Sequence, residues 1–358
     1  AGWIGAGIFL SISDVIHWSS LARIDLLALA FSLGGMYLFA TVPLVRKRFL
    51  PGVLLLVAAG FTRQSFLLAA PFAVFVWLFW LDWRQAVRFA LGMGGVVLAL
   101  GLLLQVLTGG GFYFNIVTAN VNEYSLERLR EAGVHIWHEL PILVLLAGGS
   151  LLLFFYKIDG WKMTTPYLIG GVLSALTIGK IGSNINYFLE LCAGLCLVCG
   201  LVLHCVWARQ PHRVFRVVIA AGLVLQVLLL IQVTRADFAR EILYRRNYTS
   251  ELQRLASLIA ATPGDIPADE YMGIGVLQGR WVYIQPFEMT QLARAGLWDE
   301  HAFIDDIRAQ KFPLILVHYF PGLGGYNERW TPAMLSAVDS AYETRQVLAD
   351  THVFFPKA

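Results

Sequence analysis

Long apolar blocks separated by short polar breaks fill the first 235 residues. The blocks predict helices near 2–12, 26–45, 50–62, 65–81, 87–107, 141–156, 166–180, 187–208 and 214–234. A bilayer crossing takes about 20 apolar residues, fewer where helices bend or sit inside protein. The 2–12 run is too short to cross and shows neither the charged start nor the cleavage site of a signal peptide, so it reads as the end of a truncated transmembrane helix. The blocks 50–62 and 65–81 meet at Thr62-Arg63-Gln64, a hairpin too tight for two full spans, which predicts a tip near or below the outer surface. Beyond Arg235 the usage becomes that of a soluble protein. A helix over 236–261 is followed by short helices near 270–278, 287–296, 300–310 and 331–342 and by strands at Trp281 to Gln285, Leu314 to Tyr319, 344–348 and 352–356. The expected fold is a polytopic α-helical membrane protein of about eight to nine transmembrane helices. A small α/β domain completes it, with the boundary between 1–235 and 236–358.

The basic residues sharpen this picture. Arg46-Lys47-Arg48, Arg84 to Arg88, Lys157 to Lys162 and Arg209 to Arg216 each lie two crossings from the next, so the positive-inside bias puts all four clusters in the cytoplasm. The loops rich in other polar residues, and the C-terminal domain, then face outward across a cell membrane. Composition agrees: 58% of residues are hydrophobic, 14% are charged, and the mean hydropathy is +0.64. The net charge of +3 belongs to loop anchors and gives no nucleic-acid surface. Cys192, Cys196, Cys199 and Cys205 lie in one apolar run, where small residues at a helix interface are the expected role, without a metal. Gly273, Gly275 and Gly279 lack dinucleotide spacing, and Asn247-Tyr248-Thr249 is a glycosylation triplet that matters only in a eukaryotic secretory setting.

The chemistry gathers on the outer side. Asp14, His17, Arg23 and Asp25 join the first block to the second, and Arg63 marks the hairpin tip. An intramembrane arginine points to a polar cavity or an anionic ligand, or else snorkels to headgroups. The segment 108–140 begins Thr108-Gly109-Gly110-Gly111-Phe112-Tyr113-Phe114 and passes Asn115, Asn120, Asn122, Glu123 and Tyr124; a short helix along the membrane surface is expected around Leu126 and Leu129. Flat rings beside amides and carboxylates suit carbohydrate, and interfacial belts use the same aromatics. His135, His138 and Glu139 share a helical face, but without a further ligand the metal reading is set aside. Lys180-Ile-Gly-Ser-Asn184-Ile-Asn186-Tyr187-Phe-Leu-Glu190 is the strongest local signal, with Glu190 expected to pair with Lys180 or Arg63.

These stretches, together with Ala22-Arg23-Ile24-Asp25-Leu26-Leu27-Ala28-Leu29 and Gly60-Phe61-Thr62-Arg63-Gln64-Ser65, resemble the polytopic GT-C glycosyltransferases, in particular the set related to protein mannosyltransferases and aminoarabinose transferases. The resemblance covers about residues 10 to 235. It implies transfer of a sugar from a polyprenyl-phosphate donor, with no cofactor, to a lipid, glycan or protein acceptor on the extracytoplasmic face. It further implies that Arg23, Arg63 and Lys180 hold the donor phosphate. Asn115, Asn120, Asn122, Glu123, Tyr124, Asn184, Asn186, Tyr187 and Glu190 would lie near sugar or acceptor. The family activates its acceptor with an aspartate in a first external loop that this chain lacks, which leaves Asp14 and Asp25 as the acidic candidates. A non-catalytic scaffold subunit with membrane-protein partners is the alternative. A transporter is disfavoured, because no internal repeat is found and the polar residues cluster at one surface.

Overall fold

The computed structural model describes residues 1–21, 23–41, 46–120, 122–153, 160–319 and 328–358. Contacts divide the chain into two compact units, one of residues 1–112 and 123–238, the other of 113–122 and 239–358. The division at 238 falls close to the change of composition at 235. Lys157 of the third basic cluster and the glycine-rich stretch 321–325 lie outside the described residues.

The first unit is helical: α1 (Gly2–Leu10), α2 (Ser13–Ser19), α3 (Asp25–Ala40), α4 (Arg46–Thr62), α5 (Ala69–Leu81), α6 (Trp83–Leu107), a single turn α7 (Gly111–Tyr113), α8 (Leu126–Glu139), α9 (Pro141–Leu153), α10 (Trp161–Ala175), α11 (Leu189–Arg209) and the apolar start of α12 (Arg213–Ala261). Among the described residues four helical segments are long and apolar enough to cross a membrane: Gln64–Leu81, Trp83–Leu107, Ile185–Arg209 and Arg213–Ala261. The bent pair of α8 and α9 makes a fifth if counted as one span. This is fewer than the eight to nine expected, because α3 and the apolar part of α4 fall short of a full span. The helix expected at 214–234 does not stop at Arg235. It runs on without a break into the stretch expected to be separate, since no Pro or Gly interrupts 223–262.

Burial sorts the helices. Over its best apolar window α6 is 6% buried and α11 56%, so α6 presents leucines and valines to its surroundings while α11 is central. Apolar helices in lipid pack through small residues, because lipid gives no hydrophobic drive between them. Here a Cβ at Gly170 would sit 2.6 Å from the Ala69 Cα, and one at Gly171 or Gly194 would press within 3.1 Å of the backbone of Glu190 or Leu168. Side chains at these positions would wedge α10 away from α5 and α11. The cysteines act in the same way: Cys192, Cys196 and Cys199 are buried thiols, and α1 lays Gly5 against the Cys196 carbonyl. Phe39, Phe49 and Phe89 form an edge-on triangle with centroids 5.3–6.5 Å apart that ties α3, α4 and α6.

Between α8 and α9 the chain turns by 95° at Leu140-Pro141. Proline ends the α8 bonding pattern and leaves backbone groups in need of partners. Gln226 on α12, fully buried, supplies them. Its Nε2 donates to the Glu139 carbonyl at 2.7 Å and its Oε1 accepts from the Ile142 N–H at 3.0 Å.

The second unit carries α13 (Met272–Leu277), α14 (Pro286–Arg294), α15 (His301–Arg308), α16 (Pro332–Ala341), β1 (Ile315–His318), β2 (Tyr342–Leu348) and β3 (Thr351–Pro356). The three strands form one antiparallel sheet in the order β1-β3-β2, with a register break between Thr344 and Gln346. Helices thus accompany an antiparallel sheet, and the strand expected at Trp281 to Gln285 is absent. Those residues have the alternation of a strand but no ladder. Tyr283 instead packs its ring on Phe303 and Phe312, 6.2 and 4.9 Å away between centroids.

The core of this unit closes on Trp330, fully buried, whose Nε1 donates to Asp269 Oδ2 at 3.0 Å. Asp269 also accepts the His318 N–H at 2.9 and 3.0 Å, and burial raises its pKa. His318, 5% exposed with Nδ1 2.9 Å from the Thr351 hydroxyl, has its pKa lowered below 6.5, chiefly by burial. Because the unfolded chain takes up this proton more readily than the folded one, the stability His318 contributes is full above about pH 6.5 and declines as pH falls below it. Thermal unfolding of the purified protein in detergent should therefore show wild type losing stability more steeply than His318→Gln as pH falls below about 6.5. Equal slopes would remove His318 as the cause.

Candidate functional site

Two polar clusters lie within the first unit. The first is built on Asp25, at the start of α3 and 1% exposed. Its Oδ1 meets the Arg63 guanidinium and accepts from Asn186 Nδ2 at 2.8 Å, and its Oδ2 meets Arg23 Nε at 3.0 Å. The arginines are oriented by rings as well as by charge. Arg63 lies over Tyr187 with Cζ 4.2 Å from the centroid, and Arg23 over Trp18 at 4.5 Å. Arg63 keeps only 12% of its side chain exposed, whereas Arg23 keeps 49%. Two guanidiniums on the Asp25 carboxylate leave these three groups with a net positive charge, with Arg23 as its accessible end and Glu190 acting by charge on the buried one, Arg63.

Three local features deliver these groups. Arg63 follows the last turn of α4 and begins the 3-10 turn Gln64–Leu67, so it sits at the predicted hairpin tip. Asn186 and Tyr187 occupy the 3-10 turn Ile185–Phe188 ahead of α11, started by Asn184 Oδ1 accepting the Ile185 N–H at 2.7 Å. Asp25 stands in the first turn of α3, where a carboxylate is favoured by the helix dipole. One helical face further along α3, Ser32 donates to Glu190 Oε1 at 3.3 Å; Glu190 is buried, and this hydroxyl, rather than Lys180 or Arg63, bonds that oxygen.

Lys180 is held by a different framework. Tyr124 and Lys180 pair as an antiparallel bridge, the Ser125 N–H donates to the Gly179 carbonyl at 2.7 Å, and the Ile181 N–H donates to the Glu123 carbonyl at 2.8 Å. The Tyr124 hydroxyl donates to the Leu176 carbonyl at 2.9 Å. Its ring lies so close to Gly179 that a Cβ there would come within 2.5 Å. The bridge joins two of the predicted site segments, and Glu123 and Tyr124 remain exposed beside it. Asn115, Asn120 and Asn122 belong to the second unit, Asn115 within the π-helical turn Phe114–Thr118.

The second cluster takes Asp14, which sits in the first turn of α2. His135 Nε2 lies 2.9 Å from Asp14 Oδ2 and 3.4 Å from Glu139 Oε2. Asp14 and Glu139 are 4% and 2% exposed, and the His135 ring stacks on Phe188. Ser13 braces the group: its N–H donates to Glu139 Oε1 at 2.8 Å and its hydroxyl to Asp237 Oδ2 at 2.5 Å. The sequence marks His135 and Glu139 by their spacing of four. Asp14, 121 residues away, was marked as an acidic candidate but nothing local ties it to His135, and Ser32, Trp18 and Gln226 carry no local signal.

Compared with family models, curated proteins and solved structures, the chain matches none.

Proposed function

We propose that the chain forms the donor-binding wall of a membrane glycosyltransferase that takes a sugar from a polyprenyl-phosphate carrier and passes it to an acceptor on the extracytoplasmic face. The observation that carries this reading is the convergence of Arg23 and Arg63 on one buried carboxylate, leaving a net cation with an exposed end. The cluster forms where α3 and α11 begin and α4 ends, each opposite the basic end assigned to the cytoplasm. A lipid-borne phosphate would arrive at that level. As the sugar–phosphate bond breaks, negative charge builds on the leaving phosphate, and cations already fixed by Asp25, Trp18 and Tyr187 stabilise it without reorganising. Asn184, Asn186, Tyr187 and the Glu123-Tyr124 bridge supply amide, hydroxyl and ring surface for the sugar.

Neither acidic candidate offers an exposed carboxylate. Asp25 is neutralised by two arginines, and Asp14 faces His135. A base from outside these residues would complete the enzyme. The same fact favours a second reading, a scaffold subunit whose catalytic partner brings that base.

Arg23→Ala, and Arg63→Lys with its smaller head, should each slow transfer from a polyprenyl-phosphate sugar by roughly 30- to 1000-fold in the purified native protein, equivalent to about 2–4 kcal/mol. Lys180→Ala tests whether the second framework shares the donor. Unchanged transfer in folded Arg23 and Arg63 variants would refute the donor site. Loss of a co-purifying protein with transfer intact would establish the scaffold.

A further inference from the structure

We infer that Asp14, His135 and Glu139 form a binding site for a divalent metal ion, independent of the glycosyl-transfer reading. Each residue offers one ligand atom, and these atoms all lie within 4.8 Å of one another. In a tetrahedral site with bonds of about 2.0–2.2 Å, donor atoms stand roughly 3.3–3.6 Å apart. The contact at 3.4 Å already matches that edge and the one at 2.9 Å is shorter, so an ion enters by a small opening of the shorter contact instead of a rebuilding of the helices.

A second observation points the same way. Glu139 is 2% exposed, and its Oε2 is buried with no hydrogen bond and only the His135 imidazole 3.4 Å away, while Oε1 is committed to Ser13. A buried carboxylate oxygen without a hydrogen bond is costly, and a cation is the natural remedy. Charge favours a divalent ion. With a protonated imidazole the three groups sum to a net negative charge, whereas a divalent ion on two carboxylates and a neutral imidazole sums to zero.

The surroundings are those of a prepared site. Glu139 is fixed at both ends, its side chain by the Ser13 N–H and its carbonyl by Gln226. Phe188 stacks on the His135 ring and sets its plane. The His135 side chain is 41% exposed, which leaves an entry path from solvent. One imidazole nitrogen with two carboxylate oxygens suits borderline ions such as Zn2+ or Mn2+ better than soft ions, which seek thiolates. His138 is exposed while Glu139, the next residue, is buried, so it stands outside the set.

The test is metal binding by the purified full chain in detergent after stripping with a chelator, using Zn2+ and then Mn2+, followed by isothermal titration and elemental analysis. Wild type should take one ion per chain. Asp14→Asn, His135→Gln and Glu139→Gln should each bind about tenfold or more weakly, with His138→Gln unchanged. His135→Gln keeps the test open should loss of the Ser13 bond unfold Glu139→Gln. X-ray absorption of the Zn2+ form should show oxygen and nitrogen ligands only. Absence of binding in wild type would leave a proton-bridged triad and overturn the site, as would equal binding in all variants or sulfur ligation at the cysteines. Because metal content is read directly, the outcome stands whatever the Arg23 and Arg63 variants show for transfer, so failure of the donor site and failure of this site are told apart.

Discussion

Asp25→Ala is expected to destabilise the helical unit by about 3–5 kcal/mol, the loss typical of breaking a buried ion pair by removing one partner. Arg63 has only 12% of its side chain exposed, and without Asp25 its guanidinium keeps the Tyr187 ring but loses its counter-charge. Asn186 loses its acceptor in the same step. Arg23 suffers less, since half of its side chain already reaches solvent. The measurement is unfolding in mixed detergent, with Arg63→Met and the double variant closing a cycle. The double variant should recover a large part of the loss, because Met fills the space without a charge. A cost for Asp25→Ala below about 1 kcal/mol would mean that water solvates the cluster as it does a surface pair.

Trp330→Ala should cost about 3–5 kcal/mol in the second unit, by the cavity it leaves among Phe303, Met334 and their neighbours. It also withdraws the indole N–H from Asp269, a buried acid that then relies on the His318 and Glu270 N–H groups. Trp330→Phe separates the two effects, retaining most of the volume and losing the hydrogen bond, for about 1–3 kcal/mol. Each unit has its own apolar core, so limited proteolysis should cut residues 239–358 in the Ala variant while fragments of the helical unit persist. Uniform cleavage across both units would mean that the two cores unfold together. Equal loss for Ala and Phe would assign the whole effect to the hydrogen bond.

Hydropathy located the apolar helices well because lipid-facing and core-facing residues are both apolar here, whereas α2, which carries Asp14 and His17, was read only as a connection. The same uniformity hides which face is inward. Nothing local distinguishes α6, almost bare, from α11, more than half buried. Helix ends were legible where chemistry punctuates them, as at the Arg63 hairpin and before Pro141. The end of the block at 234 was misplaced because Arg235 changes polarity without breaking the helix.

The Asp25 cluster was partly legible: Arg23, Asp25, Arg63, Asn186 and Tyr187 were all singled out, yet Asp25 as an acidic catalytic candidate and the others as phosphate and sugar ligands, not as partners of one another. Glu190 was expected to need a cation; Arg63 does act on it by charge, and Ser32 on the neighbouring helix hydrogen-bonds one of its oxygens. His135 and Glu139 were judged one ligand short because Asp14 reaches them from another helix. Tyr283 illustrates a different limit. Alternating apolar residues fit a strand, but a strand also needs a partner edge, and the two ring contacts of Tyr283 satisfied that segment first.

The contrast between α6 and α11 reaches into the history of the chain. Leu91, Leu98, Leu102, Leu103 and Val106 on α6 are exposed, touching what serves as solvent, so any greasy residue answers there as well as another. On α11 a single added methyl at Gly194 meets the next backbone. Drift is thus free to rewrite one helix while steric necessity preserves the other, and distant cousins would be recognised by their glycines before their leucines.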